Sequence, residues 1–159
     1  MFSEMRRKKQ KMTDDATINL LKECQYCMLA TMGEEQWPYS TPISYIYLDD
    51  KIYVHGLKKG MKFDNIDRNP KVCLTVVRDT VPFWDDGFTT TYESANVFGI
   101  AKRMEDDGQI VAVLKALVDK YLPDHMEKAD ANIDKMWKAV TVVEIEIEHM
   151  TGKENKKPL

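Results

Sequence analysis

The sequence predicts a mainly β fold with short inserted helices, closed into a small antiparallel barrel of about six strands. Three observations carry that expectation. Strand-like runs over 26–31, 37–48 and 51–55 follow one another with only short turns between them, the pattern of successive hairpins. Val143-Glu144-Ile145-Glu146-Ile147-Glu148 alternates strictly, as a strand with one wet face does. The chain has 159 residues, 43% hydrophobic and 31% charged, enough for one core and too apolar for a disordered segment. Closure removes the exposed edges that a small sheet would otherwise present.

The elements follow in order. Thr13, with Asp14 and Asp15 behind it, supplies a capping hydroxyl and first-turn acids for a helix that ends near Cys24, with Ile18, Leu20 and Leu21 as its apolar stripe. Tyr26 to Thr31 is a strand, Gly33 to Gln36 a turn, and Trp37 to Leu48 one long strand. Asp49-Asp50 turns the chain into a strand over Lys51 to His55. Gly56 to Gly60 is a loop, and Met61 to Arg68 a short helix stopped by Asn69-Pro70. The apolar run Val72 to Val77 predicts a strand covered on both faces. Residues 79–90 hold Pro82, Gly87, Phe83, Trp84 and Phe88, and predict a long loop serving as lid, binding loop or subunit contact. Tyr92 to Met104 is a strand with a bulge or bend at Gly99. Asp106-Asp107 opens a helix whose Ile110, Val113, Leu114, Leu117 and Tyr121 share one face and which Pro123 ends. Met126, Ala129, Ile133 and Met136 space a second, weaker helix. The chain thus divides into a basic arm over 1–12, one domain over 13–150 and a flexible tail over 151–159.

The net charge is −3, unevenly spread. Arg6, Arg7, Lys8, Lys9 and Lys11 lie in the arm with only Glu4 against them, which leaves 18 basic and 25 acidic residues, or −7, for the rest. A body that acidic argues against a nucleic-acid partner, because phosphates need a basic face; the arm itself reads as solvated or subunit-bridging. There is no run of eighteen apolar residues, so no membrane span is expected. The basic start lacks the apolar stretch of a secretory signal, and three cysteines make no disulfide framework, so the default compartment is the cytoplasm.

The informative stretch for chemistry is Ile52-Tyr53-Val54-His55-Gly56-Leu57-Lys58-Lys59-Gly60-Met61-Lys62. A strand ends, a loop follows and a helix begins, with three lysines at its start. Cations at a helix N-terminus are mildly unfavourable, by about 0.3–1 kcal/mol each, and an anion among the free N–H groups reverses that. The lysines are therefore either solvated surface residues or the wall of a phosphate site. His55, at the end of the strand beside that loop, is either structural or functional. His125 and His149 read as surface residues. Cys24-Gln25-Tyr26-Cys27 has redox spacing, but its first cysteine lies at a helix C-terminus, which disfavours a thiolate, and the further ligands of a zinc site are missing. These cysteines, and Cys73 in its apolar strand, read as core, and no metal is expected.

Several blocks resemble the nitroimidazole-resistance family, within the wider pyridoxamine 5'-phosphate oxidase-like, FMN-binding split-barrel superfamily. They are Met1-Phe2-Ser3-Glu4-Met5-Arg6-Arg7-Lys8, Pro38-Tyr39-Ser40-Thr41-Pro42-Ile43-Ser44-Tyr45-Ile46-Tyr47, Lys51-Ile52-Tyr53-Val54-His55, Lys59-Gly60-Met61-Lys62, Asp64-Asn65-Ile66, Asn69-Pro70-Lys71-Val72-Cys73, Phe88-Thr89-Thr90-Thr91-Tyr92-Glu93-Ser94 and Val97-Phe98-Gly99-Ile100-Ala101. The resemblance covers residues 1 to about 104, and the later helices and last strand match in outline. It implies a six-stranded antiparallel split barrel of Greek-key type, a homodimer, and FMN at the subunit interface. It implies that Lys62 meets the FMN phosphate and that Thr41, Pro42, Ile43, Ser44 and Tyr45 line the cofactor with backbone groups and the Ser44 hydroxyl. His55 would lie near the flavin ring, and Tyr92 and Ser94 near the cofactor, from the second subunit. Many relatives have histidine or arginine where this chain has Met61, and Asp85-Asp86-Gly87 looks local to this chain.

The implied activity is that of an FMN-dependent oxidoreductase of nitroreductase type. Reduced FMN passes electrons to a small electron-poor acceptor such as a nitroimidazole, with Phe83, Trp84 and Tyr92 as stacking walls and His55 as the catalytic proton donor or hydrogen-bond partner. The alternative is a non-catalytic protein that binds flavin, haem or a deazaflavin as redox sensor or cofactor store. Pyridoxamine phosphate oxidation ranks low, because the arginine-rich substrate motifs are missing.

Overall fold

The computed structural model describes residues 2–84 and 86–156. Met1, Asp85 and the last three positions of the expected tail lie outside the described residues. The elements are α1 (Asp14–Glu23), β1 (Cys27–Met32), β2 (Pro38–Ile43), β3 (Tyr45–Leu48), β4 (Lys51–Leu57), α2 (Met61–Arg68), β5 (Lys71–Trp84), β6 (Phe88–Arg103), α3 (Asp107–Tyr121), α4 (Met126–Met136) and β7 (Val140–Asn155). Local signals set most of these boundaries. Thr13 Oγ1 accepts the Ala16 N–H at 3.2 Å and Asp106 Oδ1 the Gln109 N–H at 2.8 Å, so both expected caps are made. Asp49 and Asp50 both have positive φ, 50° and 59°, the geometry of a tight two-residue hairpin turn.

The strands form one antiparallel sheet of seven, in the order β2-β1-β5-β6-β7-β4-β3. It is an open sheet, which corrects the expectation of six strands and a closed barrel. The expected long strand Trp37 to Leu48 breaks at Ser44. Its halves go to opposite edges: β2 pairs with β1, and β3 pairs with β4. No ladder joins β2 to β3, yet one residue links them, so the sheet curls until its edges meet at that corner. Pro38 and Pro42 fit the β2 edge, where a missing N–H costs no ladder bond.

The interior of the curl is packed by Leu20 and Leu21 of α1, Phe63 of α2, and Leu29, Ile52, Val54, Leu74, Val76, Val97 and Ile145 of the sheet. A second cluster lies on the other face of β4 and β7, where Tyr53 and Val142 meet Ile110, Val113, Leu114 and Leu117 of α3 and Ile133 of α4. The two clusters follow from the alternation of β4: Ile52 and Val54 point inward, Tyr53 and His55 toward the helices.

Three further expectations are corrected. Residues 79–84 and 88–90 are strand where a loop was expected: β5 runs to Trp84 and pairs with β6, with a register shift between Arg78 and Val81 that absorbs the turn-like residues. The Val72 to Val77 strand is buried on one face only. Val72, Leu74 and Val76 point inward, while Val77 is 54% exposed and Cys73 half-buried. The last strand continues to Asn155, and Met12 N–H bonds the Gly152 carbonyl at 3.0 Å, so the chain's two ends pair where a loose tail was expected. The bulge expected at Gly99 is present, as a register shift between Phe98 and Gly99. No described helix is long and apolar enough to cross a membrane.

A Cβ at Gly99 would collide with the Glu146 carbonyl oxygen and lie 2.7 Å from Ile145 Cγ2. Gly99→Ala is therefore expected to destabilise the fold by about 1–3 kcal/mol, read as a lower denaturation midpoint in urea.

Candidate functional site

The corner at Ser44 gathers the residues of the informative stretch. The β4 strand carries His55 on the face turned to the helices, and Gly56 after it lies against α2. A Cβ at Gly56 would come within 3.0 Å of the Phe63 ring and 3.6 Å of Lys62 Cε. Glycine thus lets the strand end and the first turn of α2 approach closely. Gly60, at φ 147°, makes the turn into α2, and its carbonyl accepts the Phe63 and Asp64 N–H groups.

Lys62 Nζ lies over the Phe63 ring, 4.7 Å from its centroid. Arg103 also lies over that ring, but Asp67 holds it in a two-pronged pair, each contact 2.7 Å. Lys62 has no such carboxylate among the described residues. Lys58 and Lys59 are exposed on the loop. Of the three lysines, Lys62 alone lies beside His55, whose pKa falls below the ordinary 6.5 because burial disfavours the imidazolium and the Lys62 charge opposes it.

His55 and Ser44 open into a cleft of about 400 Å³ between the sheet and the α3–α4 pair, walled by Leu117, Tyr121, Met136 and Trp137. The His55 Nδ1 is buried there with no hydrogen-bond partner. A buried polar atom without a partner costs about 1–3 kcal/mol, so the cleft is suited to a ligand that supplies one. Tyr121 secures the corner itself. Its hydroxyl accepts the Tyr45 N–H at 3.0 Å and lies 2.7 Å from the Tyr45 carbonyl and 2.5 Å from that of Gln25. Lys120 Nζ donates to the carbonyls of Cys24 and Tyr45, at 2.9 and 3.0 Å. Burial pushes the Cys27 thiol up to about 12 and also raises Cys24, so neither is a ready thiolate.

The remaining predicted residues divide. Thr41, Pro42 and Ile43 lie on the β2 edge that runs into Ser44. The Tyr45 side chain points into the core, its hydroxyl donating to the Leu21 carbonyl at 2.6 Å, and its amide is held by Tyr121. Tyr92 and Ser94 lie far off. His55 pairs across to Val142, whereas Tyr92 pairs with Asn155 and Ser94 with Lys153, on the order of 40 Å away along β7. Phe83 and Trp84 close the distal end of the β5–β6 hairpin, with Trp84 79% exposed. The single chain does not bring these four to His55. Sequence reasoning missed Lys120 and Trp137, and took Tyr121 and Met136 only as helix-face residues. Among the described residues no cluster of His, Cys, Asp and Glu could hold a metal ion.

Residues 13–154 match the family model described as pyridoxamine 5'-phosphate oxidase. The fold is shared with solved structures of low identity. The flavocytochrome Anf3 from Azotobacter vinelandii superposes with a TM-score of 0.86 at 21% identity, over 98% of this chain and 73% of that one. The FAD and haem binding protein from Mycobacterium smegmatis gives 0.82 at 20%, over 94% and 75%. A candidate 5-nitroimidazole antibiotic resistance protein from Bacteroides thetaiotaomicron gives 0.80 at 22%, over 91% and 86%. No curated protein matches the chain.

Because the folded-state pKa of His55 lies below its unfolded value, the unfolded chain binds the proton more readily. Stability is therefore expected to fall as pH drops below about 6.5 toward the folded pKa. His55→Gln should flatten that part of the stability curve in urea unfolding, with little change above pH 7.

Proposed function

Because the chain belongs to the pyridoxamine 5'-phosphate oxidase family, we propose that it binds FMN at the Ser44–His55–Lys62 corner. On this reading it passes electrons from the reduced cofactor to a small electron-poor acceptor such as a nitroimidazole, as a member of the nitroimidazole-resistance group. The observation that supports this most is the meeting of two unsatisfied groups in one place: Lys62 without a carboxylate and His55 Nδ1 without a partner. A phosphate answers the first and a polar edge of a ring or acceptor the second.

Lys62 would hold the phosphate at the start of α2, where free N–H groups add to its charge. The β2 edge from Thr41 to Ile43 and the Ser44 hydroxyl would run along the ribityl chain and ring. FMN, when bound, supplies the reversible redox chemistry. Leu117, Met136 and Trp137 line the cleft with apolar side chains. His55, neutral at pH 7, would orient the acceptor by hydrogen bonding and, once an anion at Lys62 has raised its proton affinity, would give a proton to it as the imidazolium and return to the neutral form. The chain would work as a homodimer. Tyr92 and Ser94 would approach the cofactor of a second copy, and Phe83 and Trp84 would wall its acceptor.

One observation favours a second reading. An apolar cleft with an unprotonated histidine also suits a haem ring, and the Mycobacterium smegmatis neighbour is described as binding haem besides FAD. A protein that stores or senses such a group without turnover would use the same cleft. The visible spectrum of the purified protein separates the two, through flavin bands or a Soret band.

Lys62→Ala is expected to weaken FMN binding about tenfold or more while leaving riboflavin, which lacks the phosphate, unchanged; quenching of flavin fluorescence measures both. If the two flavins lose affinity equally, Lys62 does not meet the phosphate. For turnover, the reduced, anaerobic protein should be reoxidised by a nitroimidazole, and His55→Ala should slow that step about a hundredfold. Unchanged reoxidation in the variant removes His55 from the chemistry.

A further inference from the structure

The basic arm is held in place. Met12 bonds Gly152, Lys11 bridges Lys153, and Gln10 Nε2 donates to Asn155 Oδ1 at 3.0 Å. At its start Phe2 stacks on His149, centroids 4.6 Å apart, and lies against Phe98. Gly152 permits this approach, since a Cβ there would collide with Thr17 Oγ1 and lie 2.9 Å from Met12.

An open concavity of about 410 Å³ lies between the arm and β7, lined by Met5, Arg6, Arg7 and Lys153. All its charged residues are cations. Two neighbouring cations have carboxylate partners, Lys8 with Glu4 and Lys156 with Glu154, each at 2.8 Å. Arg6, Arg7 and Lys153 have no acidic partner among the described residues. The Lys153 Nζ lies instead over the Tyr92 ring, 5.0 Å from its centroid. Lys153 is fixed in β7, and the arm is tied to that strand at Lys11 and Met12, so an anion entering the concavity meets three like charges. The rest of the chain carries −7, yet no carboxylate lines this concavity.

We propose that this concavity is a second anion site, which binds the diphosphate of a dinucleotide. Two guanidinium forks and an ammonium match two adjacent phosphoryl groups, because arginine grips phosphate oxygens in pairs and lysine adds a point charge. The diphosphate can come from a flavin dinucleotide or from a nicotinamide dinucleotide. The site needs only the arm and β7, and is independent of Lys62.

The test titrates the purified full chain with inorganic pyrophosphate by calorimetry. Wild type should bind, and Arg6→Ala/Arg7→Ala should weaken binding about tenfold or more. Lys153→Met, on a different element, should do the same, and both effects should persist in a Lys62→Ala background, where the Ser44 corner no longer takes up phosphate. Melting temperatures confirm that the variants are folded, and either arm or strand variant suffices. Paired ligands identify the source: FAD against FMN, and NADH against nicotinamide mononucleotide. The member of a pair that carries the diphosphate should hold an advantage that Arg6→Ala/Arg7→Ala abolishes. The proposal is overturned if pyrophosphate binding in the Lys62→Ala background survives both variants, if it is lost in Lys62→Ala alone, or if neither dinucleotide shows such an advantage. It is also overturned if a single-stranded oligonucleotide displaces pyrophosphate from these residues at lower concentration than either dinucleotide, which would make the arm a nucleic-acid contact.

Discussion

The architecture turns on one residue that belongs to no ladder. Ser44 joins β2, at one edge of a seven-stranded sheet, to β3, at the other. A single residue spans roughly 7 Å between its neighbours' Cα atoms, so the sheet has to curl. The ladder does not close there because α3 has taken the groups that would close it. Tyr121 binds the Tyr45 amide and Lys120 its carbonyl. A buried ammonium is costly, and burial lowers the Lys120 pKa. Two carbonyls and the Tyr45 ring face, 4.2 Å away, offset that cost. The same contact that holds the sheet open anchors the end of α3, and α3 with α4 walls the cleft into which His55 opens. The opening of the sheet and the formation of the cleft thus have one cause.

The electrostatics of the corner have the same economy. Lys62 and His55 can be neighbours because only one of them is charged near neutral pH. An anion bound at Lys62 would cancel the field that, together with burial, suppresses the imidazolium. Anion binding and His55 protonation are therefore linked, each favouring the other by the same free energy. A histidine tuned in this way gains proton affinity when the site fills, which is useful to a group that has to give a proton to an acceptor.

What was legible in the sequence was local. Gly60 and Asn69-Pro70 bracket α2, Asp49-Asp50 sets a turn, and Thr13 and Asp106 cap helices, all through neighbours a few residues away. That His55 and Lys62 lie together was legible for the same reason, since strand, loop and helix start lie within one continuous stretch; Ser44 came from the resemblance. The break at Ser44 was not legible. Pro42 restricts that stretch to a sheet edge without marking Ser44 as its end, and the groups on either side of the break are bound by Lys120 and Tyr121, more than seventy residues later. The β5–β6 hairpin was hidden by Pro82 and Gly87, which mark turns locally. Its length is set by backbone pairing across the strands, and a bulge takes up the misfit. Lys120 and Tyr121 end the apolar stripe of α3, and only the packing shows that they bind backbone at the corner.

The distribution of residues along β6 and β7 bears on the dimer proposed above. One set lies at the Ser44 corner, where β4 meets the start of β7; the other, with Tyr92 and Ser94, lies toward the opposite end of β7. Between them the outer face of β1 and β5 exposes Met28, Met32 and Val77, a surface the interior does not use. A two-fold axis lying in that face and perpendicular to the strands would set each copy's far end beside the other's near end, because an isologous contact pairs residue i of one copy with j of the other, and j with i. On that arrangement the apolar face and the divided site have one explanation: β6 and β7 are long so that each chain can reach the other's corner. A monomer would leave the length, the exposed face and the remote Tyr92 as three separate facts without a common physical cause.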